Sequence, residues 1–91
     1  LIILGDLNDV PNSNTLDQFM QAGFEDPFDS YPLSERYSVI FEGNAQQFDQ
    51  IMLKKAADCQ ILDSMIVHLN TGISERNQTS DHDPVLIDLG F

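Results

Sequence analysis

The stretch TSDHDPVLIDLGF, residues 79–91, places a charged segment directly before an apolar one. Apolar residues alternate along its second half, which predicts a β-strand with one face toward a core. The residues predicted to share that face are Val85, Ile87, Leu89 and Phe91. Pro84 favours an extended backbone before it, so the strand is entered from an extended segment. Neighbouring side chains there point to opposite sides, so Asp81 and His82 could serve two adjacent subsites.

The first strand and one helix are predicted early in the sequence. LIILG, residues 1–5, is a continuous apolar run and predicts a strand buried on both faces. Because the chain opens on this strand and without Met, we expect further sequence upstream in the parent protein. A helix is predicted at about residues 15–22. Thr15 and Gln18 have capping-box spacing, and Gly23 suits the C-terminal end.

Three more strands are predicted in the middle of the chain. RYSVIFEGN (36–44) and QQFDQIML (46–53) read as an antiparallel hairpin that turns at Gly43-Asn44, and SMIVHLN (64–70) is a further strand. Residues 1–91 therefore predict one α/β unit. Its sheet has about five strands, mixed or mostly antiparallel, with one helix on a face.

The composition restricts the partners of the chain. Fifteen acidic and four basic residues give a net charge of −11. This charge argues against a broad basic surface for nucleic acid and against an anionic membrane surface, and it fits a protein that holds cations. No apolar run approaches the roughly 20 residues of a membrane span. Cys59 is alone, so no internal disulfide forms, and no signal peptide is evident, so the location stays open.

Acidic residues lie at the ends of two predicted strands. Asp6 follows the first strand directly and Asn8 is two residues on, where both could line a crevice. Alternatively, both residues only terminate the strand through local hydrogen bonds. Asp49 shares strand parity with Ile51 and Leu53, and a buried carboxylate is costly unless it is paired or binds a cation. The alternative is a strand buried on both faces, with Asp49 at its exposed first turn.

The charged segment before the last strand offers two chemistries. Asp81 can hold a hard cation such as Mg²⁺, and His82 can transfer a proton or donate to a phosphoryl oxygen. The alternative is a polar loop beside a proline. His68 is interpreted as a structural or surface histidine and Asp83 as a spectator. Several other polar residues are expected to be solvated: Asp9, Asp26, Asp29 and Asp63.

Taken in order, GDLND, QFDQIML and SDHDPV resemble three motifs of the endonuclease/exonuclease/phosphatase superfamily, which is DNase I-like, in its carboxyl-terminal half. RYSVIFEGNAQQFDQIML is further similar to secreted bacterial nucleases of that superfamily, which suggests a secreted bacterial parent. The resemblance implies half of a four-layered α/β sandwich. It also implies Mg²⁺-dependent hydrolysis of phosphate esters, most concretely by a nuclease that binds nucleic acid or another phosphodiester.

The resemblance also implies residue roles. Asp6 would orient or activate the attacking water, and Asn8 would hold the phosphate and that carboxylate. Asp49 would pair with His82, which would bind the scissile phosphate. Asp81, with Asp6, would contribute to the metal site.

Two features depart from the family pattern. Gln47 and Phe48 stand before Asp49 where Arg or a similar residue is usual, and Gln50 follows it where Tyr, His or Arg is usual. The family's principal metal-binding Glu belongs to an amino-terminal half outside these residues. We therefore expect the segment alone to bind metal weakly, to be inactive, and to pair with that half or self-associate. The alternative is a non-catalytic remnant that acts as a small acidic binding or assembly domain.

Overall fold

The computed structural model describes residues 1–91. It contains one α-helix, six strands and two short 3-10 turns. Their bounds are β1 (Ile2–Asp6), α1 (Asn14–Gln21), a 3-10 turn (Leu33–Glu35), β2 (Val39–Phe41), β3 (Asn44–Gln46), β4 (Asp49–Leu53), β5 (Gln60–Ile66), a second 3-10 turn (Glu75–Asn77) and β6 (Val85–Gly90). None of the helices combines the length and the apolar character of a membrane span.

The strands pair two by two. The three antiparallel pairs are β1 with β4, β2 with β3, and β5 with β6. The predicted mixed α/β class with mainly antiparallel strands and one helix is confirmed. The strands do not form the single predicted five-stranded sheet, because the hydrogen-bonded ladders stop at each pair.

The middle hairpin is shorter than predicted. Its turn is Glu42-Gly43, with φ of 50° and 81°, rather than Gly43-Asn44. Two successive residues with positive φ form the tight turn that matches strand twist, and Phe41 pairs with Asn44 across it. QQFDQIML is divided, because β3 ends at Gln46 and β4 then pairs with β1 instead of β2.

The helix lies where it was predicted, one residue earlier. Its N-cap is Ser13 rather than Thr15, since the Ser13 Oγ accepts a hydrogen bond from the Leu16 N–H at 3.3 Å. Gly23 follows the C-cap with φ of 95°, a conformation that favours glycine, so its predicted role at the helix end is confirmed.

The core lies between β4 and the β5–β6 pair. Its buried members are Phe28, Ile51, Leu53 and Ile66, and the partly buried residues packed on them include Tyr31, Ile61, Val85, Ile87 and Leu89. Phe91, predicted to share their face, is exposed. The prediction that β1 is buried on both faces is wrong, because Ile2 and Leu4 are 47% and 69% exposed. β4 is the strand covered on both sides.

Candidate functional site

Strand pairing brings two predicted site carboxylates together. Asp6, the last residue of β1, is the direct partner of Asp49, the first residue of β4. His82 reaches the same place because its backbone bridges to Val39 at the start of β2. Asp6, Asp49 and His82 each offer a ligand atom, and these atoms lie within 4.8 Å of one another.

His82 and Asp49 form a hydrogen-bonded pair. The His82 Nδ1 lies 2.6 Å from the Asp49 Oδ2. An ionised carboxylate only accepts, so the Nδ1–H donates and the imidazole orientation is fixed. The opposite nitrogen, Nε2, faces the Asp6 Oδ2 at 4.0 Å and the Asp81 Oδ1 at 3.9 Å. These distances leave Nε2 without a hydrogen bond and available to a ligand.

The surrounding charges favour the protonated imidazole. Partial burial lowers the pKa of His82, but the hydrogen bond and charge of Asp49 and the charges of Asp6 and Asp81 outweigh it. The net effect is a pKa raised above the ordinary value of 6.5. A protonated His82 presents an Nε2–H donor about 4 Å from one carboxylate oxygen of Asp6 and one of Asp81.

Asp6 divides its two oxygens between structure and site. The Asn8 N–H donates to the Asp6 Oδ1 at 2.9 Å, and Asn8 adopts a positive φ of 51°. This is the local hydrogen bond that the sequence offered as an alternative. The other oxygen, Oδ2, is the one turned toward His82. Asp6 can therefore both end the strand through a local hydrogen bond and line the site. Asn8 is connected to the cluster through its backbone N–H.

Asp81 lies at the rim of the cluster. Its side chain is 82% exposed, and it lies outside the group of three residues gathered within 4.8 Å. Its Oδ1 lies 3.9 Å from the His82 Nε2, about as far as the Asp6 Oδ2 does at 4.0 Å. The residues that could together hold a cation are instead Asp6, Asp49 and His82.

A series of hydrogen bonds between buried polar side chains, which the sequence did not reveal, connects β4 to the loop after Asp6. Gln47 and Gln50 are 1% and 0% exposed. The Arg36 Nε donates to the Gln47 Oε1 at 2.7 Å, and the Gln47 Nε2 donates to the Gln50 Oε1 at 3.1 Å. The Gln50 Nε2 donates in turn to the Asp9 carbonyl at 3.2 Å. Gln47 and Gln50 therefore attach the loop after Asp6 to β4.

Asp26 was expected to be solvated, and that prediction is wrong. Its carboxylate pairs with the Arg36 guanidinium, and the two side chains are only 7% and 8% exposed. Arg36 thus extends this series of polar contacts from Gln47 to Asp26. The sequence did not reveal this pair, since four basic residues among fifteen acidic ones do not show which acid Arg36 contacts.

Asp83 and His68 form a second pair. The His68 Nδ1 lies 2.8 Å from the Asp83 Oδ2, and its Nε2 lies 2.9 Å from the Glu35 carbonyl oxygen. The Tyr37 ring stacks on the imidazole with centroids 4.0 Å apart. Of the two interpretations of His68, structural or surface, these contacts favour the structural one.

The prediction that Asp83 is a spectator is wrong. Only 2% exposed, it accepts hydrogen bonds from His68, from the Asn70 N–H and from both the N–H and the hydroxyl of Thr71. Burial raises the pKa of Asp83, but the hydrogen bonds from the Thr71 hydroxyl, from His68 and from the two backbone N–H groups outweigh it and lower the pKa. Asp83 is absent from the candidate site but organises the loop beside it.

Comparison with known proteins yields no match among family models, curated proteins or solved structures.

Proposed function

We propose that this chain contributes the phosphate-binding side of a metal-dependent phosphodiesterase, most concretely a nuclease, within a domain that includes an amino-terminal half. One observation carries the proposal: His82 is hydrogen-bonded to Asp49 at 2.6 Å and turns its free Nε2 between two further carboxylates. The motif order GDLND, QFDQIML and SDHDPV supports the same function through resemblance.

His82 acts on the phosphate. Asp49 holds its Nδ1–H and stabilises the imidazolium, so that Nε2–H can donate to a phosphoryl oxygen. This donor strengthens as negative charge develops on that oxygen in the transition state. Asp49 is thus required to keep His82 charged and correctly oriented, and does not itself touch the substrate.

Asp6 acts on water. Its Oδ1 accepts the Asn8 N–H, while its Oδ2 has no such partner and lies 4.0 Å from the His82 Nε2. A carboxylate in that position can orient a water molecule and accept its proton as the water attacks phosphorus. The exposed side chain of Asn8 supplies an amide that can hold the phosphate near this carboxylate.

Asp81 and Asp6 would hold the divalent cation, most concretely Mg²⁺. When bound, such an ion neutralises phosphoryl oxygens and orients the substrate. Two partly exposed carboxylates bind it weakly, so we expect the substrate phosphate and a further acidic ligand from the amino-terminal half to complete its coordination.

The net charge favours recognition of the phosphate at one spot. With −11 on 91 residues, no extended basic groove can follow a polyanion. A protonated imidazole and a cation concentrate positive charge where a single phosphodiester would bind. The preference for nucleic acid rests on the resemblance of RYSVIFEGN to secreted nucleases.

The exposed apolar strand residues support the proposal that this is half of a four-layered α/β sandwich. Ile2 and Leu4 of β1, Leu62 and Met65 of β5, and Leu86 of β6 are all exposed, each by 46% or more. A complete domain would cover such residues. The same residues favour a second candidate, in which a non-catalytic chain uses them to self-associate or assemble.

The function is tested by phosphodiester hydrolysis with and without Mg²⁺. We expect no hydrolysis by the 91-residue chain alone, and hydrolysis when it is joined to the amino-terminal half of a family member. Asp6→Asn should lower that activity by about 10²-fold or more. The matched control is Asp63→Asn, an exposed acid on β5, which should leave it unchanged. Equal activity of both variants would contradict the role of Asp6.

The second candidate is tested by sedimentation of the 91-residue chain. A concentration-dependent dimer that is lost in Leu4→Ser, together with no hydrolysis in any joined form, would favour assembly over catalysis. A monomer at all concentrations would count against it.

A further inference from the structure

Ser38 lies directly before β2 and is completely buried. Its Oγ accepts two hydrogen bonds, from the Phe48 N–H and from the Asp49 N–H, both at 3.1 Å. Its own N–H donates to the Gln46 carbonyl at 3.0 Å. One small side chain therefore satisfies two consecutive backbone donors at the start of β4.

The need for this hydroxyl follows from the path of the chain. β3 pairs with β2 and ends at Gln46, whereas β4 pairs with β1. The backbone between β3 and β4 therefore leaves one ladder before it enters the next. The Phe48 carbonyl already pairs with the Leu7 N–H at 3.0 Å. Backbone donors in such a transition need a partner, and an alanine at position 38 could not supply one.

Ser38 also contacts the segment that carries His82. Its carbonyl accepts the Asp83 N–H at 2.7 Å, and the next residue, Val39, is the bridge partner of His82. The backbones on both sides of the His82–Asp49 hydrogen bond are thus attached to one residue. The hydrogen bond that joins these two segments, from the His82 Nδ1 to the Asp49 Oδ2, is 2.6 Å long.

We propose that Ser38 is a positioning residue whose hydroxyl holds Asp49 in hydrogen-bonding contact with His82. This role rests on the proposed function of the pair and deepens it, since Ser38 touches neither the phosphate nor the attacking water. It acts through the backbone of Asp49.

Proton NMR of the free chain tests this role. The His82 Nδ1–H donates across a short bond to a carboxylate, so it should give a far-downfield resonance, assigned by its loss in His82→Ala. In Ser38→Ala the resonance should disappear, and the Asp49 amide should exchange at least about tenfold faster with solvent. The Asp83 amide, bonded to the Ser38 carbonyl, should keep its protection.

Two variants separate positioning from general destabilisation. Ser64→Ala removes a different hydroxyl, which is partly buried and donates to the Pro27 carbonyl at 3.0 Å. It should keep the resonance. Ser38→Thr restores a hydroxyl and should recover it. A resonance that persists in Ser38→Ala, or that is lost equally in Ser64→Ala, would overturn the proposal.

A measurement on the unchanged chain applies even if Ser38→Ala does not fold. The Phe48 and Asp49 amides should exchange as slowly as the Leu53 amide, which is bonded to the Glu25 carbonyl at 2.9 Å. Exchange of the Phe48 and Asp49 amides at the rate of exposed amides would overturn the proposal. None of these readouts needs enzymatic activity, so this role and the phosphodiesterase function can fail separately.

Discussion

The chain contains two histidine–aspartate pairs that differ in the surroundings of the outer ring nitrogen. In the His68–Asp83 pair both ring nitrogens have acceptors, and the aspartate side chain is fully buried. In the His82–Asp49 pair the outer nitrogen has no hydrogen bond and faces two carboxylates about 4 Å away. The inner bond lengths are similar, 2.8 and 2.6 Å.

This difference separates a structural pair from a candidate reactive one. A histidine with both nitrogens engaged has no position for a ligand, and its bonds contribute to the fold. A histidine with one nitrogen engaged is oriented but still has a donor to offer. The adjacent residues His82 and Asp83 belong to different pairs because their side chains point to opposite sides of an extended backbone.

The largest expected effect is on folding. Asp83→Ala leaves the His68 Nδ1–H, two backbone N–H groups and the Thr71 hydroxyl without their acceptor, so we expect a loss of about 3–5 kcal/mol in the free energy of unfolding. Asp49→Ala, at a more exposed pair that water can reach, should cost about 1 kcal/mol. Urea unfolding of the two variants measures the difference.

The control for these variants is Asp88→Ala, an exposed acid on β6. It should change the free energy of unfolding by less than about 0.5 kcal/mol. If Asp49→Ala proved as destabilising as Asp83→Ala, the distinction between the two pairs would be wrong.

A smaller effect is expected from Mg²⁺. If the cation binds the folded chain at Asp6 and Asp81, a concentration tenfold above its dissociation constant should stabilise the fold by about 1.4 kcal/mol. Thermal unfolding with Mg²⁺ and with NaCl at equal ionic strength measures this. Asp81→Asn should reduce the effect and Asp63→Asn should not. Equal stabilisation by both salts would show that no specific cation site exists at these residues.

The smallest effect is a pH dependence with opposite signs at the two pairs. The pKa of His82 is raised in the fold, so its contribution to stability is fully present below 6.5 and is lost as the pH rises through the higher folded pKa. The pKa of Asp83 is lowered, so its contribution is present above 3.8 and is lost as the pH falls through the lower folded pKa.

Unfolding of the wild type and His82→Ala in EDTA, from about pH 5 to about pH 9, isolates the first of these effects. The free energy of unfolding of the wild type should exceed that of His82→Ala most at low pH, and the difference should shrink as the pH rises. An advantage that is constant across this range would mean that the charges around His82 do not act on it as described.

The sequence predicted local elements better than their pairing. The helix and the β2–β3 turn were found within about one residue, because capping residues and glycine act over a few positions. The partner of β4 was missed, since alternation in QQFDQIML cannot show that the ladder changes sides at Gln47 and Phe48. The exposure of Ile2 and Leu4 was missed for a related reason, because an apolar run does not reveal whether anything covers it.

The sequence predicted the charged residues of the site, but it did not predict the buried polar residues around them. Asp6, Asp49 and His82 are charged residues at predicted strand ends, and the structure gathers them. Asp81, predicted as a ligand, stands further out at the rim. Ser38, Gln47, Gln50 and Asp83 are buried polar residues, and each has at least one partner ten or more residues away, which no local pattern predicts.

The most direct measurement compares Mg²⁺-dependent phosphodiester hydrolysis by His82→Ala and His68→Ala in the domain joined to an amino-terminal half, each rate corrected for the folded fraction. We expect His82→Ala to lose about 10²-fold or more of the wild-type rate, and His68→Ala to remain within about threefold of it. Absence of Mg²⁺-dependent hydrolysis by the wild type, or equal losses in the two variants, would contradict the assignment of the site to His82 and its neighbouring carboxylates.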